Sequence, residues 1–519
     1  MFTIRRHAAC TDGVVRQGGV PGSSGGVPGT QYLTIDKKRG RTKGVGSLFC
    51  CCDAALPVVE YQEHGAAVNS ATSPNVQYAF DETVDAAGEL TKGLRPTSVT
   101  YPNGRILRYE YDSGDDDNLG RISYLADDSG GAVGTHLAEY GRLGLDHVVK
   151  VDYTEPDLRL DLLSSGGLDK FDRVVDLRWI DYGPDPDVDA VRIKHTYDRM
   201  SNRLSREDVV AASNGQDLDE FYTYDGVNQL KTFQRGNLNA SPPTGVTDKN
   251  FAQRWCFDAT GNWVDFDQDD DGDNTWDLQQ TRTHNTANEI TALTAGWSTP
   301  AHDRAGNMTT IPQPNSPSES YTLTFDAWNR LVRVEDGEHL LAEYEYDGLH
   351  RRTLKRVWPT PGEGPSGADS SSSSSSSSGG DTFETTHFYY SNQWQVLEER
   401  IDESEDADRQ YIWGLRYIDD LILRDRDTES GGDLGFTGSA LDERLYALQD
   451  ANWNVGALTD TSGNVVERYV YDPYGNVTIY NADWSSTRST SNYANTTLYT
   501  GRELDAETGL ILKQANGSS

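Results

Sequence analysis

Short runs of alternating apolar and polar residues recur along this chain, separated by turn residues at fixed offsets. The clearest is Tyr469–Ile479, Y-V-Y-D-P-Y-G-N-V-T-I. Its period of two puts Tyr469 and Tyr471 on one face of a strand and Val477 and Ile479 on one face of the next. Between them Asp472, Pro473 and Gly475 take the first, second and fourth places of a tetrapeptide turn. Those places favour a side-chain acceptor, a pre-set φ and tolerance of positive φ. The segment predicts one antiparallel β-hairpin closed by a short, bulged loop.

Weaker copies extend over most of the chain, which marks a repeat architecture. Tyr109-Glu110-Tyr111-Asp112 leads through an acidic loop to Gly120-Arg121-Ile122, and His195-Thr196-Tyr197-Asp198 leads to Asn202-Arg203-Leu204. Tyr222–Asp225 precedes Asn228-Gln229-Leu230, Trp255–Asp258 precedes Gly261-Asn262-Trp263, and Leu323–Asp326 precedes Asn329-Arg330-Leu331. Tyr344–Asp347 turns toward Leu354, while Asp303 and Asp460 precede Gly306-Asn307 and Gly463-Asn464. The earliest clear hairpin is Ser98–Leu107, whose Asn103-Gly104 is a strong turn signal.

An aromatic, a spacer, an aromatic, Asp, a turn, then Gly or Asn and an apolar residue: this pattern resembles the YD repeat of the RHS family from roughly Tyr101 to Leu510. Tyr499–Leu510, Y-T-G-R-E-L-D-A-E-T-G-L, is similar to the start of the signature that closes the RHS-associated core. The resemblance implies a mainly β fold of repeated antiparallel hairpins, spiralling into a partial hollow shell. Such shells belong to bacterial polymorphic toxins, insecticidal toxin-complex subunits, wall-associated proteins and teneurins. It further implies a non-enzymatic scaffold, extracellular or at the cell surface, that encloses or presents a C-terminal effector encoded elsewhere. The alternative is a cell-surface or wall-associated repeat protein that binds carbohydrate or another envelope component through exposed Trp and Tyr.

By this pattern residues 1–77 form a Gly-rich, poorly ordered segment, 78–358 a repeat sheet, and 382–510 a second one. Residues 359–381, with unbroken serine from Ser370 to Ser378, read as a flexible tether. The tail 511–519 lacks the tyrosines with which the family continues, so a truncated core is expected.

Only 35% of the 519 residues are hydrophobic and the mean hydropathy is -0.67. That suits extended sheet with wet faces better than a close-packed α/β enzyme. The net charge of -36, from 82 acidic and 46 basic residues, disfavours nucleic acid and anionic lipid as partners. No run is long enough to span a membrane, and Arg5 and Arg6 are not followed by the apolar segment of an export signal. Cys10, Cys50, Cys51, Cys52 and Cys256 form neither a disulfide framework nor a zinc spacing.

The sharpest site-like motif is Asp267-Gln268-Asp269-Asp270-Asp271-Gly272-Asp273. Its spacing matches the front half of an EF-hand calcium loop, but position twelve is Leu278 instead of a bidentate Glu. Calcium is therefore set against a solvated acidic turn. His195 and His302 lie near aspartates that already serve as turn acceptors. No catalytic, metal or cofactor residue is assigned, and no cofactor is expected.

Overall fold

The computed structural model describes residues 58–64, 66–84, 90–163, 166–359 and 383–512, with two strand segments upstream, Gln31–Tyr32 and Val45–Phe49. Among these residues the chain is mainly β, and within each sheet every strand pairs antiparallel with the one before it. A 19-stranded sheet ends at Ile290–Leu293, and a 15-stranded sheet runs from Ala301–His302 to Thr487–Arg488. A separate two-stranded sheet joins Leu504–Asp505 to Leu510–Ile511. Among the described residues helix is confined to Asp115–Leu119, Val209–Ser213 and a 3-10 turn at Tyr499–Gly501. A register shift beside the second aromatic recurs, as at Thr223/Tyr224 and Thr324/Phe325. Such bulges raise the local twist and curl the ribbon into a spiral.

The paired strands reach upstream of residue 78. Val58–Gln62 pairs with Asn75–Val84, a strand that starts before Tyr78. The upstream run is too short to stand out in sequence, and tertiary bonds fix it. The Gln62 side-chain amide donates to the Tyr390 carbonyl at 2.6 Å and accepts from the Tyr390 N–H at 2.8 Å. Arg352–Val357 pairs with Glu384–Tyr390, so the repeats on either side of the serine run join; the run itself lies outside the described residues. Leu510–Ile511 carries strand across the expected boundary at 511. Residues 1–30, 33–44, 50–57, 65 and 513–519 of the expected terminal segments lie outside the described residues.

The two large sheets face each other over one core. Alternating residues of the first, such as Val149, Val151 and Tyr153, pack with Ile412, Tyr446 and Leu448 of the second. In Glu443–Gln449 the opposite face, Leu445 and Ala447, is covered by Tyr493, Leu498 and Leu504 of the C-terminal segment. This part of the second sheet is thus buried on both sides, which is why its strands read as nearly continuous apolar runs.

Candidate functional site: the turn ladder and the seam between the sheets

Each repeat turn is built around its aspartate. The Asp472 N–H donates to the Asn476 carbonyl at 2.9 Å and the Gly475 N–H to the Asp472 carbonyl at 3.2 Å. Three residues are thus enclosed, ending in Gly475 at φ 97°, a type I turn with a left-handed bulge residue. Oδ1 of Asp472 accepts the N–H groups of Tyr474 and Asn476, both at 2.9 Å. Asp198, Asp225, Asp258, Asp303, Asp326, Asp347, Asp450 and Asp460 accept in the same way. Their fourth-position residues share the left-handed conformation, among them Asn329 at φ 60°. Hydrogen bonds from Thr260 and Asn262 hold the Asp258 carboxyl well below the usual range.

In several repeats the residue after the bulge ties one turn to the next. Asn262 Nδ2 donates to Asn288 Oδ1 at 3.0 Å, Asn307 Nδ2 to Asn329 Oδ1 at 3.0 Å, and Arg330 Nη1 to the Asp347 carbonyl at 2.9 Å. Phe257 and Phe325 carry no hydroxyl, but in several repeats the second aromatic is a tyrosine that supplies a parallel staple, which the spacing alone did not reveal. Its hydroxyl reaches the first residue of the preceding strand: Tyr224 to Arg203, Tyr346 to Leu331, Tyr390 to Arg352 and Tyr471 to Val455, at 2.7–2.8 Å. Only Leu331 and Val455 among these acceptors are apolar, and Arg203 and Arg352 take the same place, so what marks an acceptor is its place at the start of the strand and not its residue type.

The sheets are clamped by buried charge. Arg105, fully buried after the Gly104 turn, meets Asp127 at 2.8 Å and Asp425 of the second sheet at 2.8 Å. Arg444 contacts Asp425 at 2.8 Å, Asp127 at 3.3 Å and Glu155 at 3.1 Å. Neutral links run beside the clamp. Tyr101 Oη donates to the Tyr411 carbonyl at 2.8 Å, and Trp179 Nε1 to the Gln449 carbonyl at 3.0 Å. A second ionic group holds the C-terminal segment. Arg352 meets Asp505 at 2.7 Å and Glu503 at 2.9 Å, and Lys355 lies 3.3 Å from Asp505. Burial pushes the Glu503 carboxyl up; it opposes the opposite shift at Asp505, where Arg352 and Lys355 prevail and hold the group down.

Asp269, Asp271 and Asp273 come within 4.8 Å of one another, but Asp267 does not join them. Trp263–Asp269 is strand, so Asp267 is held in extended chain and pairs with Arg254. Asp269 is already coordinated: Lys249 Nζ lies 2.6 Å from Oδ2, while the N–H groups of Asn274 and Gly272 donate to its two oxygens. The lysine ammonium thus meets part of the charge of this cluster. His195 is buried, and burial with Arg203 and Arg206 nearby pushes its pKa well below the ordinary value. Asp303, beside His302, accepts from Ala305 and twice from Asn307. Among the described residues no helix is long and apolar enough to cross a membrane.

The fold and its ladder define a hairpin-repeat scaffold, in which the recurrent polar side chains are spent on joining one hairpin to the next. No family model and no curated protein matches the chain. Solved structures do. A Photorhabdus luminescens Tc holotoxin pore matches with a TM-score of 0.61 at 15% identity, over 91% of this chain and 21% of that one. The TcdB2-TccC3-Cdc42 crystal structure gives 0.61 at 16% identity, over 91% and 22%. TcdB2-TccC3 alone gives 0.60 at 14% identity, over 91% and 22%. The chain spans about a fifth of the length of these solved chains, and the likeness is one of fold.

The C-terminal segment docks against the turn of the clearest repeat, which gives a direct test of that geometry. A Cβ on Gly475 would lie 2.7 Å from the Tyr499 ring, whereas one on Gly104, at almost the same φ of 98°, would meet nothing within 4 Å. Gly104→Ala is expected to cost about 1–2 kcal/mol, the penalty of left-handed backbone alone. Gly475→Ala should cost measurably more in urea denaturation. Equal losses would mean that Tyr499 does not pack on this turn.

Proposed function

We propose that this chain is a segment of an RHS/YD-repeat shell wall, without enzymatic activity of its own, that encloses or presents an effector polypeptide outside the cell. The observation that carries this reading is the seam. A ribbon of hairpins, several of them stapled to the strand before, packs back on itself through the Arg105–Asp425 clamp. A wall built by local pairing and closed by buried contacts suits enclosure. The likeness in fold to chains of Tc toxin complexes supports it. So does the state of the exposed rings, which spend a face inside the chain: Trp328 under Arg330, Tyr417 on Trp453, Tyr474 against Trp263.

The test is to coexpress this chain with the polypeptide encoded immediately downstream of it, and to challenge the purified product with trypsin. An enclosed effector copurifies and survives conditions that digest it when expressed alone. Digestion at the same rate with and without this chain overturns the reading.

A further inference from the structure

The most exposed large apolar side chains of the first sheet share one end of its strands. Leu119, Leu145, Leu163, Phe171, Met200 and Val227 are each exposed by half or more. All lie in or beside the connections that follow alternate strands, from the one after Ile106–Glu110 to the one after Asp219–Tyr224. Among the described residues from 58 to 293, Val188 is the one other large apolar side chain so exposed. The connections at the opposite end carry Gly130-Gly131, Pro184–Asp187 and the exposed Asp270, Asp271 and Asp273. An exposed apolar row of this kind marks an interaction surface.

These connections are bonded to one another in succession, so their tips form a continuous row. Arg121 Nη1 donates to the Leu145 carbonyl at 2.7 Å, and His147 Nδ1 lies 3.1 Å from Asp172 Oδ2. Arg173 Nη1 donates to the Asp198 carbonyl at 3.0 Å, and Asn202 Nδ2 to Asn228 Oδ1 at 2.9 Å. Adjacent turns stand two strands apart, about 10 Å. At three consecutive tips Phe171, Met200 and Val227 are 67%, 69% and 72% exposed. Their N–H groups already donate to Oδ1 of Asp169, Asp198 and Asp225 at 2.8, 2.8 and 2.9 Å, so covering a tip strands none of these donors. Lys170 and Arg199, both exposed, immediately precede Phe171 and Met200. The carboxylates beside Phe171 are engaged, Asp169 with Arg173 at 2.6 Å and Asp172 with His147. The exposed Asp115 and Asp146 belong to the Leu119 and Leu145 connections, so the Phe171 and Met200 turns are the cationic part of the row.

We propose that this end of the first sheet docks on the surface of a zwitterionic phospholipid bilayer. Phe171, Met200 and Val227 enter the boundary between head groups and acyl chains, and Lys170 and Arg199 meet the phosphates. The chemistry of the tips favours lipid over protein. A protein interface gathers its apolar area into a core depleted of charge, whereas here each apolar tip stands singly between polar neighbours, as in Lys170-Phe171-Asp172 and Arg199-Met200-Ser201. The head-group boundary accepts such isolated side chains, and long cationic ones beside them snorkel back to phosphate level. The net charge of -36 opposes an anionic bilayer, which is why the surface is a zwitterionic one. The acidic opposite end points away from it. This contact does not depend on whether the chain encloses an effector.

Flotation with vesicles of palmitoyl-oleoyl phosphatidylcholine tests this. The unmutated chain should float with the vesicles. The triple variant Phe171→Ser, Met200→Ser, Val227→Ser should partition about tenfold or more weakly, the scale of losing buried apolar side chains. Lys170→Glu with Arg199→Glu should also weaken flotation, and Val188→Ser, at the opposite end, should leave it unchanged. No flotation of the unmutated chain, or flotation undiminished in either multiple variant, overturns the proposal. Self-association of the unmutated chain that the triple variant loses, with no flotation, assigns the row to a protein contact and overturns it too. The unmutated chain alone decides whether the bilayer is bound, so the proposal stays falsifiable even where a substitution prevents folding.

Discussion

Asp425→Ala should destabilise the protein by about 3–5 kcal/mol, the usual cost of breaking a buried ion pair from one side. Asp425 is fully buried and accepts from Arg105 Nη1 and from Nε and Nη2 of Arg444, each at 2.8 Å. Its removal leaves two buried guanidinium groups sharing Asp127 and Glu155. The effect should be read from urea denaturation near neutral pH. A loss under about 1 kcal/mol, the range of an exposed pair, would mean that the clamp is wet and does not hold the sheets.

The same group sets a pH dependence. Burial alone would raise the Asp425 pKa, but Arg444 and Arg105 outweigh it and hold the carboxyl below its ordinary value. A carboxylate whose folded pKa is depressed adds stability that is complete above its unfolded pKa of about 3.9 and disappears as the pH falls through the folded value. The gap in stability between the unmutated protein and Asp425→Ala should therefore stay constant from neutrality to about pH 5 and narrow below about pH 4.

The hairpins were legible because their causes are local. Asp472, Pro473 and Gly475 each have a backbone reason to stand where they do, and the turn follows from them. The stacking of one sheet on the other was not legible, because its contacts join residues hundreds of positions apart. Arg105 meets Asp425 320 residues later and Trp179 meets Gln449 270 residues later. Among 82 acidic and 46 basic residues, no charge pattern singles out one such pair. The acidic motif is legible only in part for a related reason. Spacing alone puts Asp267, Asp269 and Asp271 on equal terms, whereas pairing of Trp263–Asp269 with the preceding strand holds the first carboxylate at Arg254 and leaves Asp269, Asp271 and Asp273 together.

Trp179→Ala should cost about 3–5 kcal/mol, as expected for truncating a fully buried aromatic, and should also change how the protein unfolds. Trp179 has 0% exposure and lies at the centre of the core between the sheets, its ring 4.8 Å from that of Tyr153, which in turn lies 5.2 Å from Tyr446. Its Nε1 satisfies the Gln449 carbonyl. Trp179→Phe keeps much of the apolar contact but strands that carbonyl, and should cost less, about 1–3 kcal/mol. In a repeat protein, stability is a sum of unit terms and interfaces, so weakening an interface loosens the coupling between units. The strands Ser320–Phe325, Leu331–Asp336 and His339–Tyr346 have their own buried cluster of Leu323, Val334, Leu341 and Tyr344. Hydrogen exchange in Trp179→Ala should therefore rise first in Asp176–Asp181 and Glu443–Gln449 while this third cluster keeps its protection. A uniform rise across all three regions would show that the ribbon unfolds as a single unit and that the seam is not what divides it.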